Sequence, residues 1–392
     1  MKNFLYYTPT RVVFGKGAEN DTGKLIKECG GKKILIHYGS GSVIRTGLLD
    51  RIIKSVHDEN IAFVTLGGVV PNPRLSKVYE GIELCKKEKT DFILAVGGGS
   101  VIDSAKAIAY GVSNEGDVWD FYKKTRVPSS SVPVGVVLTI AAAGSEMSNS
   151  SVITNDATSE KRGCNCDLSR CKFAVMNPEL TMTLPEYQTE SGCVDIMMHT
   201  MERYFNCGEN SEITSVIAEG LLRTVIKNAK ILLQDPLNYN ARAEIMWASS
   251  LSHNGLTGCG NDAGDWACHQ LEHELGGMFD VTHGAGLAAV WPAWARYVYK
   301  NSVCRFARFA RAVFDIDIEE DEKAALAGID ALEAFFREIK MPTNIRELGQ
   351  EVNQGQIKTL AYNCSFKNTR TIGSVMKLNV QDIENIYTQA SK

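Results

Sequence analysis

Three of the seven histidines in this 392-residue chain fall in one window, Gly264 to Gly286, which reads GDWACHQLEHELGGMFDVTHGAG. His269 and His273 stand four apart, so on a helix they share one face. His283 returns after Gly276 and Gly277 and directly before Gly284. A helix with a histidine face, a glycine-permitted turn and a returning histidine can close around one metal ion. Two readings of that ion are open. In the first, His269-Gln270-Leu271-Glu272-His273 is an H-x-x-E-H zinc-protease pattern, with Glu272 as general base. In the second, His269 and His283 are ligands, His273 stays off the metal, and further ligands come from elsewhere.

A second pair stands earlier. Asp195 and His199 are four apart in a predicted helix over Ser191–Phe205. That spacing can chelate a metal, or it can form an ordinary ion pair on a solvated helix face. His253 reads as a packed histidine rather than a ligand. Cys164, Cys166 and Cys171 form the one cysteine cluster, but no second pair follows, so a thiolate metal site is not expected there. The odd count of eleven cysteines fits free thiols in a reducing cytoplasm better than a disulfide framework.

The totals exclude other classes. Charged residues make up 22% of the chain, the net charge is -4 and there is no basic block, so nucleic acid is not an expected partner. No apolar run reaches membrane-spanning length, and the N-terminus lacks a signal pattern.

These residues need elements to hold them. In the N-terminal half, short apolar runs alternate with helical stretches: Arg11–Phe14, Lys33–Tyr38, Ile61–Leu66, Asp91–Val96 and Val132–Ile140. That alternation predicts a parallel, Rossmann-like sheet covered by helices on both faces. Such sheets bind ligands at the carboxyl ends of their strands. Two glycine-rich turns fall at that edge. Gly97-Gly98-Gly99-Ser100 precedes a helix, so its backbone can approach a phosphate closely, with Ser100 and Asp103 nearby. Gly39-Ser40-Gly41-Ser42 is a shorter form, with Ile44 where the dinucleotide fingerprint wants glycine. After Asn177-Pro178 and Leu184-Pro185 the period becomes helical and stays so, with Ile213, Ile217, Leu221, Val225 and Leu232 forming one expected core stripe. The expected division is an α/β dinucleotide-binding domain over 1–185 and an all-helical metal and catalytic domain over 186–392, with a cleft at the junction.

At these residues the chain resembles the iron-containing (group III) alcohol dehydrogenases, closest to their butanol dehydrogenase branch. Trp266 to Gly286 follows the second signature of that family. Pro185 to Glu202, PEYQTESGCVDIMMHTME, follows the first, with Glu190 where a small or aliphatic residue is usual. The resemblance implies four metal ligands, Asp195, His199, His269 and His283, with His273 a non-ligand beside the site; being near the ligands yet free of the metal, His273 is the expected proton relay. It implies one divalent ion, Fe(II) or Zn(II), acting as a Lewis acid in reversible hydride transfer between a nicotinamide cofactor and a primary alcohol or aldehyde of the butanol/butyraldehyde kind. Gly39, Ser40, Asn72, Gly98, Gly99, Ser100, Asp103, Thr139 and Lys161 are the expected cofactor-binding residues. Thr139 to Glu146 departs from the family run, with Ala141 for proline and Ala143 for threonine. Ser40 stands where NAD-preferring members carry an aspartate, so NADP(H) is the expected preference over NAD(H). A homodimer in the cytoplasm completes the implied picture. A dehydroquinate-synthase-type lyase shares the two-domain plan and is the runner-up, ahead of the protease.

Overall fold

The computed structural model describes residues 1–206, 211–261 and 264–392. It forms two compact units, one of Tyr7–Leu184 and one of Pro185–Lys392 together with Met1–Tyr6.

The first unit is built on a six-stranded sheet in the order β1-β8-β5-β4-β2-β3, every neighbouring pair parallel. In chain order it runs β1 (Arg11–Phe14), α1 (Thr22–Glu28), β2 (Lys33–Gly39), α2 (Ser42–Arg45), α3 (Leu48–Asp58), β3 (Ala62–Val69), α4 (Leu75–Glu88), β4 (Phe92–Gly97), α5 (Gly99–Ser113), α6 (Trp119–Tyr122) and β5 (Val134–Leu138). An antiparallel hairpin, β6 (Ser150–Asn155) with β7 (Glu160–Asn165), comes next, and β8 (Phe173–Met176) closes the sheet. Central strands β4 and β5 are buried along their whole lengths, because helices cover both faces of a parallel sheet. The hairpin and β8 were not foreseen. SSVITN and EKRGCN are largely polar, and FAVM is only four residues, so none carries a strong apolar-run signal.

The chain passes outward from β2 to β3 and returns to β4 on the opposite side of β2. The loops after β2 and β4 therefore leave in opposite directions, which makes the carboxyl ends of these strands a topological switch point, the place where sheets of this kind hold ligands. Those two loops are the glycine turns at Gly39 and Gly97.

The second unit is helical: α7 (Glu186–Tyr204), α8 (Glu212–Gln234), α9 (Tyr239–His253), α10 (Ala267–Phe279), α11 (His283–Val298), α12 (Val303–Phe314), α13 (Asp321–Glu338), α14 (Gln354–Cys364) and α15 (Val380–Ala390). Helix α11 is buried on nearly all sides from Gly284 to Ala295, which marks it as the central helix. The aromatic core includes Phe205 stacked on Phe306 at 4.3 Å. The stripe expected on α8 holds at Leu221, Val225 and Leu232, but Ile213 is exposed and Ile217 only partly buried. Near the start of α8, Thr214 and Ser215 are buried instead and donate to Cys259 O and Ser211 O. Among the described residues no helix is long and apolar enough to cross a membrane.

Candidate metal centre and glycine-rich turns

Three helices bring the four expected ligands together. Asp195 and His199 lie one turn apart on α7, both buried. His199 Nδ1 is 2.9 Å from the Asp195 carbonyl oxygen, which leaves Nε2 as its other ring donor. On α10, His269 Nε2 is 3.8 Å from Asp195 Oδ1. His283 is the first residue of α11, and its Nε2 is 3.7 Å from the same oxygen. Asp195, His199 and His269 offer donor atoms that all lie within 4.8 Å of one another, the one such group of three among the described residues. The cysteine cluster makes no group of this kind.

The approach of α11 depends on glycine. A Cβ on Gly284 would stand 2.0 Å from the carbonyl oxygen of Ser191, so only glycine lets His283 come this close to α7. Helix α10 is entered through Trp266, which sits at a φ of 62°, a left-handed conformation uncommon for a bulky side chain. Asp265 supports that entry, accepting from Ala267 N at 3.1 Å, Ser374 N at 2.6 Å and Val375 N at 2.8 Å. The Trp266 ring then packs edge-on at 5.4 Å from the His269 ring, with the Arg203 guanidinium on it at 4.6 Å.

Two buried atoms carry the fit to a cation. Asp195 Oδ1 and His269 Nε2 have no hydrogen-bond partner; although His199 Nδ1 is 3.0 Å from Oδ1, its hydrogen bond goes to the carbonyl. Unpartnered buried polar atoms cost about 1–3 kcal/mol each, and one divalent ion satisfies both. The charge states agree. Burial alone would raise the Asp195 carboxyl, but the imidazoles of His199 and His283 outweigh it and hold the carboxyl well below the usual range. Burial lowers His199 to about 4, so it is a neutral ligand. Burial opposes the proton on His269, but Asp195 and Glu202 raise it to about 9, so a metal here displaces a proton.

Sequence reasoning missed the groups that orient the rings. Glu202 Oε1 lies 2.9 Å from His269 Nδ1, and Glu272 Oε2 is hydrogen-bonded to His283 Nδ1. Both glutamates are buried, Glu272 completely. A general base must face the reacting water, so a fully buried Glu272 directed at a histidine overturns the protease reading. The one available signal was the acid three residues after His269, which served that reading instead. His273 stands outside the cage, half-buried, its ring 6.5 Å from that of His269 and 6.0 Å from that of His283. His253 packs edge-on against His199 at 4.0 Å.

In the first unit, Gly39 ends β2, Gly98 and Gly99 lead into α5, and Thr139 follows β5, whose strand lies beside β4. Thr139 N donates to Gly97 O at 3.0 Å. Asn72, buried at a φ of 52°, is followed by Pro73, whose carbonyl accepts from Thr154 N at 2.8 Å. Thr154 is the strand partner of Lys161, so the hairpin brings Lys161 to the Asn72 turn. Asp103 accepts from Ser145 Oγ at 2.5 Å and from Val152 N at 2.9 Å. Fully buried Lys106 joins it, donating to the carbonyls of Ser145, Ser148 and Ser150 at 2.7, 3.0 and 2.8 Å. These two side chains fasten the segment after β5 onto α5. Gly98 has a φ of -94°, so no left-handed backbone requires glycine there. Close approach does, since a Cβ would lie 2.9 Å from Ile140. At Gly99 a Cβ would lie 3.0 Å from that of Ala143, so the small residue at 143 packs against the turn.

Comparison with known proteins agrees over the whole chain. Residues 9–178 match the model of the iron-containing alcohol dehydrogenase family, and residues 189–391 match that of the family's C-terminal domain. NADH-dependent butanol dehydrogenase A of Clostridium acetobutylicum is 40% identical over 392 residues, covering 100% of both chains. NADPH-dependent aldehyde reductase YqhD of Escherichia coli is 35% identical over 89% of this chain and 90% of its own. The crystal structure of NADH-dependent butanol dehydrogenase A from Thermotoga maritima superposes with a TM-score of 0.97 at 38% identity, covering 100% of this chain and 99% of that one. With two family models spanning both units, the chain belongs to the iron-containing alcohol dehydrogenases and is an oxidoreductase using a nicotinamide cofactor and a divalent metal.

Proposed function

We propose that this enzyme reduces short-chain aldehydes such as butyraldehyde, and oxidises the matching primary alcohols, with NADP(H) preferred over NAD(H). The observation that carries the reading is the meeting of Asp195, His199, His269 and His283 around two buried atoms without hydrogen-bond partners. One carboxylate and three neutral imidazoles suit Fe(II) or Zn(II). When bound, the ion supplies a Lewis acid for the substrate oxygen and the nicotinamide supplies the hydride carrier. The chain's own residues do the rest. Asp195 provides the one formal negative charge of the donor set, and the histidines are held with Nε2 inward. His273, beside the cage but outside it, is the proton relay. Residues 1–185 are the dinucleotide half, with Gly39, Ser40, Asn72, Gly98, Gly99, Ser100, Thr139 and Lys161 toward the cofactor. Asp103 serves that half by holding the segment after β5. Residues 186–392 are the metal and catalytic half.

The cofactor preference rests on the turn after β2. No carboxylate stands at Ser40 to repel a 2′-phosphate. The Arg45 side chain folds back, its Nη1 3.1 Å from where a Cβ of Gly41 would sit, which supplies a cation beside that turn. The relatives divide on this point: the butanol dehydrogenases A are named NADH-dependent and the aldehyde reductase NADPH-dependent.

The test follows NAD(P)H absorbance with butyraldehyde in metal-loaded and chelator-treated protein. Aldehyde-dependent oxidation should vanish on chelation and return with Fe(II) or Zn(II). Metal-loaded protein inert with both cofactors would sink the reading. For the preference, kcat/KM is compared for both cofactors in the parent and in Ser40→Asp. The variant should move toward NADH, and a tenfold change corresponds to about 1.4 kcal/mol. A parent that favours NADH defeats the preference alone.

A further inference from the structure

We infer that Glu272 is a positioning residue for the metal: it braces the His283 imidazole from α10 so that Nε2 faces Asp195, and Gly286 leaves the space for that brace. The inference rests on the metal reading above and adds to it the residues that make His283 a competent ligand.

The four chelating side chains are not equally secured. Asp195 is buried on α7, and the His199 ring is tied to its own helix through the Asp195 carbonyl. The His269 ring is tied to Glu202, which also accepts the His269 amide at 3.0 Å. His283 differs in two ways. It is the first residue of its helix, with no preceding turn to pack on, and its side chain is 27% exposed against 5–7% for the other three. Its Nδ1 is bonded to Glu272 Oε2 of the neighbouring helix. A carboxylate only accepts, so it selects the Nδ1–H tautomer and leaves the Nε2 lone pair for a cation. Helix α10 thus orients a ligand carried by α11.

Gly286 stands one turn after His283 on α11. A Cβ there would lie 2.9 Å from Glu272 Cγ and 3.3 Å from Oε1. Alanine at 286 would displace the Glu272 side chain without removing any charged residue from the sequence. The two glycines of His283-Gly284-Ala285-Gly286 therefore divide the work: Gly284 admits the backbone of α7 and Gly286 admits Glu272.

The experiment measures Zn(II) affinity by chelator competition on metal-free full-length protein, with far-UV circular dichroism as the check on folding. The parent should bind one Zn(II). Glu272→Ala should bind it about 10- to 100-fold more weakly, the usual effect of losing such an outer partner. Glu272→Gln keeps a hydrogen-bond acceptor at the same length and should lose less than Glu272→Ala. Gly286→Ala, with Glu272 intact, should weaken binding about tenfold or more. A folded Glu272→Ala or Gly286→Ala variant that binds Zn(II) as the parent does overturns the inference and leaves the metal reading standing. If Glu272→Ala fails to fold, Glu272→Gln and Gly286→Ala decide, and parent-like affinity in both overturns it. A parent that binds no Zn(II) overturns the metal reading and this inference together.

Discussion

Replacing Glu190 should remove a destabilising pH dependence from the helical unit. Its side chain is 1% exposed on α7, and neither carboxylate oxygen has a hydrogen-bond partner. The guanidinium that acts on it is engaged elsewhere, Arg242 donating to Thr189 Oγ1 and Pro236 O at 2.9 Å each. Burial, reinforced by Glu186 one turn earlier, raises Glu190 from 4.5 to about 8 against the weaker pull of Arg242 and Lys340. The folded protein therefore keeps this carboxyl protonated at neutral pH, whereas the unfolded chain ionises it. Stability is fully present below pH 4.5, falls as pH rises, and levels off above about pH 8. Each pH unit in that interval removes about 1.4 kcal/mol, so the loss by pH 7 is roughly 3 kcal/mol. Gln at 190 mimics the protonated carboxyl and does not titrate. In urea unfolding followed by helix ellipticity, Glu190→Gln should lie within about 1 kcal/mol of the parent at pH 5 and exceed it by roughly 3 kcal/mol at pH 7. Five residues separate Glu190 from Asp195, about 140° around the helix, so metal content should not change. Parent and variant curves that run parallel between pH 5 and pH 8 would mean that Glu190 is ionised and partnered, and the reasoning would fail.

Other substitutions probe other links. His37, wholly buried between Leu66 O and Ser104 Oγ at 2.9 Å each, is lowered by burial from 6.5 to about 4. Its contribution is present above pH 6.5 and lost as pH falls toward 4, so His37→Gln should shrink the stability loss between pH 7 and pH 4.5 by roughly 3 kcal/mol; an undiminished loss in urea midpoints contradicts this. Gly284→Ala forces a Cβ against Ser191 O and should cost about 1–3 kcal/mol and deplete bound metal, read by denaturation and metal analysis; a parent-like metal content shows that α11 has room. His283→Ala should lose metal and activity together, whereas His273→Ala should keep the metal and lower turnover by about 100- to 10,000-fold. An unchanged pH–rate profile in His273→Ala removes that residue from proton transfer. Gly98→Val should abolish dinucleotide binding in a folded protein, followed by cofactor fluorescence, because Ile140 occupies the space a side chain needs.

Much of this molecule is legible one segment at a time. The apolar runs at Ile34 to Tyr38 and Phe92 to Val96 announce buried parallel strands, because both faces of such a strand meet helices. The glycine runs at 39–41 and 97–99 mark the carboxyl ends of those strands. The spacings Asp195/His199 and His269/His273 report helix faces, since side-chain direction repeats every 3.6 residues whatever surrounds it. Segments whose structure comes from partners are less legible. Strands β6 and β7 pair with each other through polar residues, so their alternation is hidden. Ile213 reads as core by period, yet it faces away because buried Thr214 and Ser215 take the inward positions.

By itself the sequence determined that a histidine-rich helix, a second chelating helix face and two glycine-rich strand ends share one chain, because period and turn chemistry are local properties. Spacing alone leaves open which histidine approaches Asp195; the family resemblance implied His283, and the physical reason lies in three dimensions. His273 shares a helix face with His269, but His283 comes within 3.7 Å of the carboxylate because Gly284 lets α11 press onto the α7 backbone. The role of Glu272 was decided there too. Its spacing from His269 and His273 fits a general base, but packing buries it completely and turns it to His283. Spacing along one helix specifies a direction, and only the neighbouring helix specifies what lies in that direction.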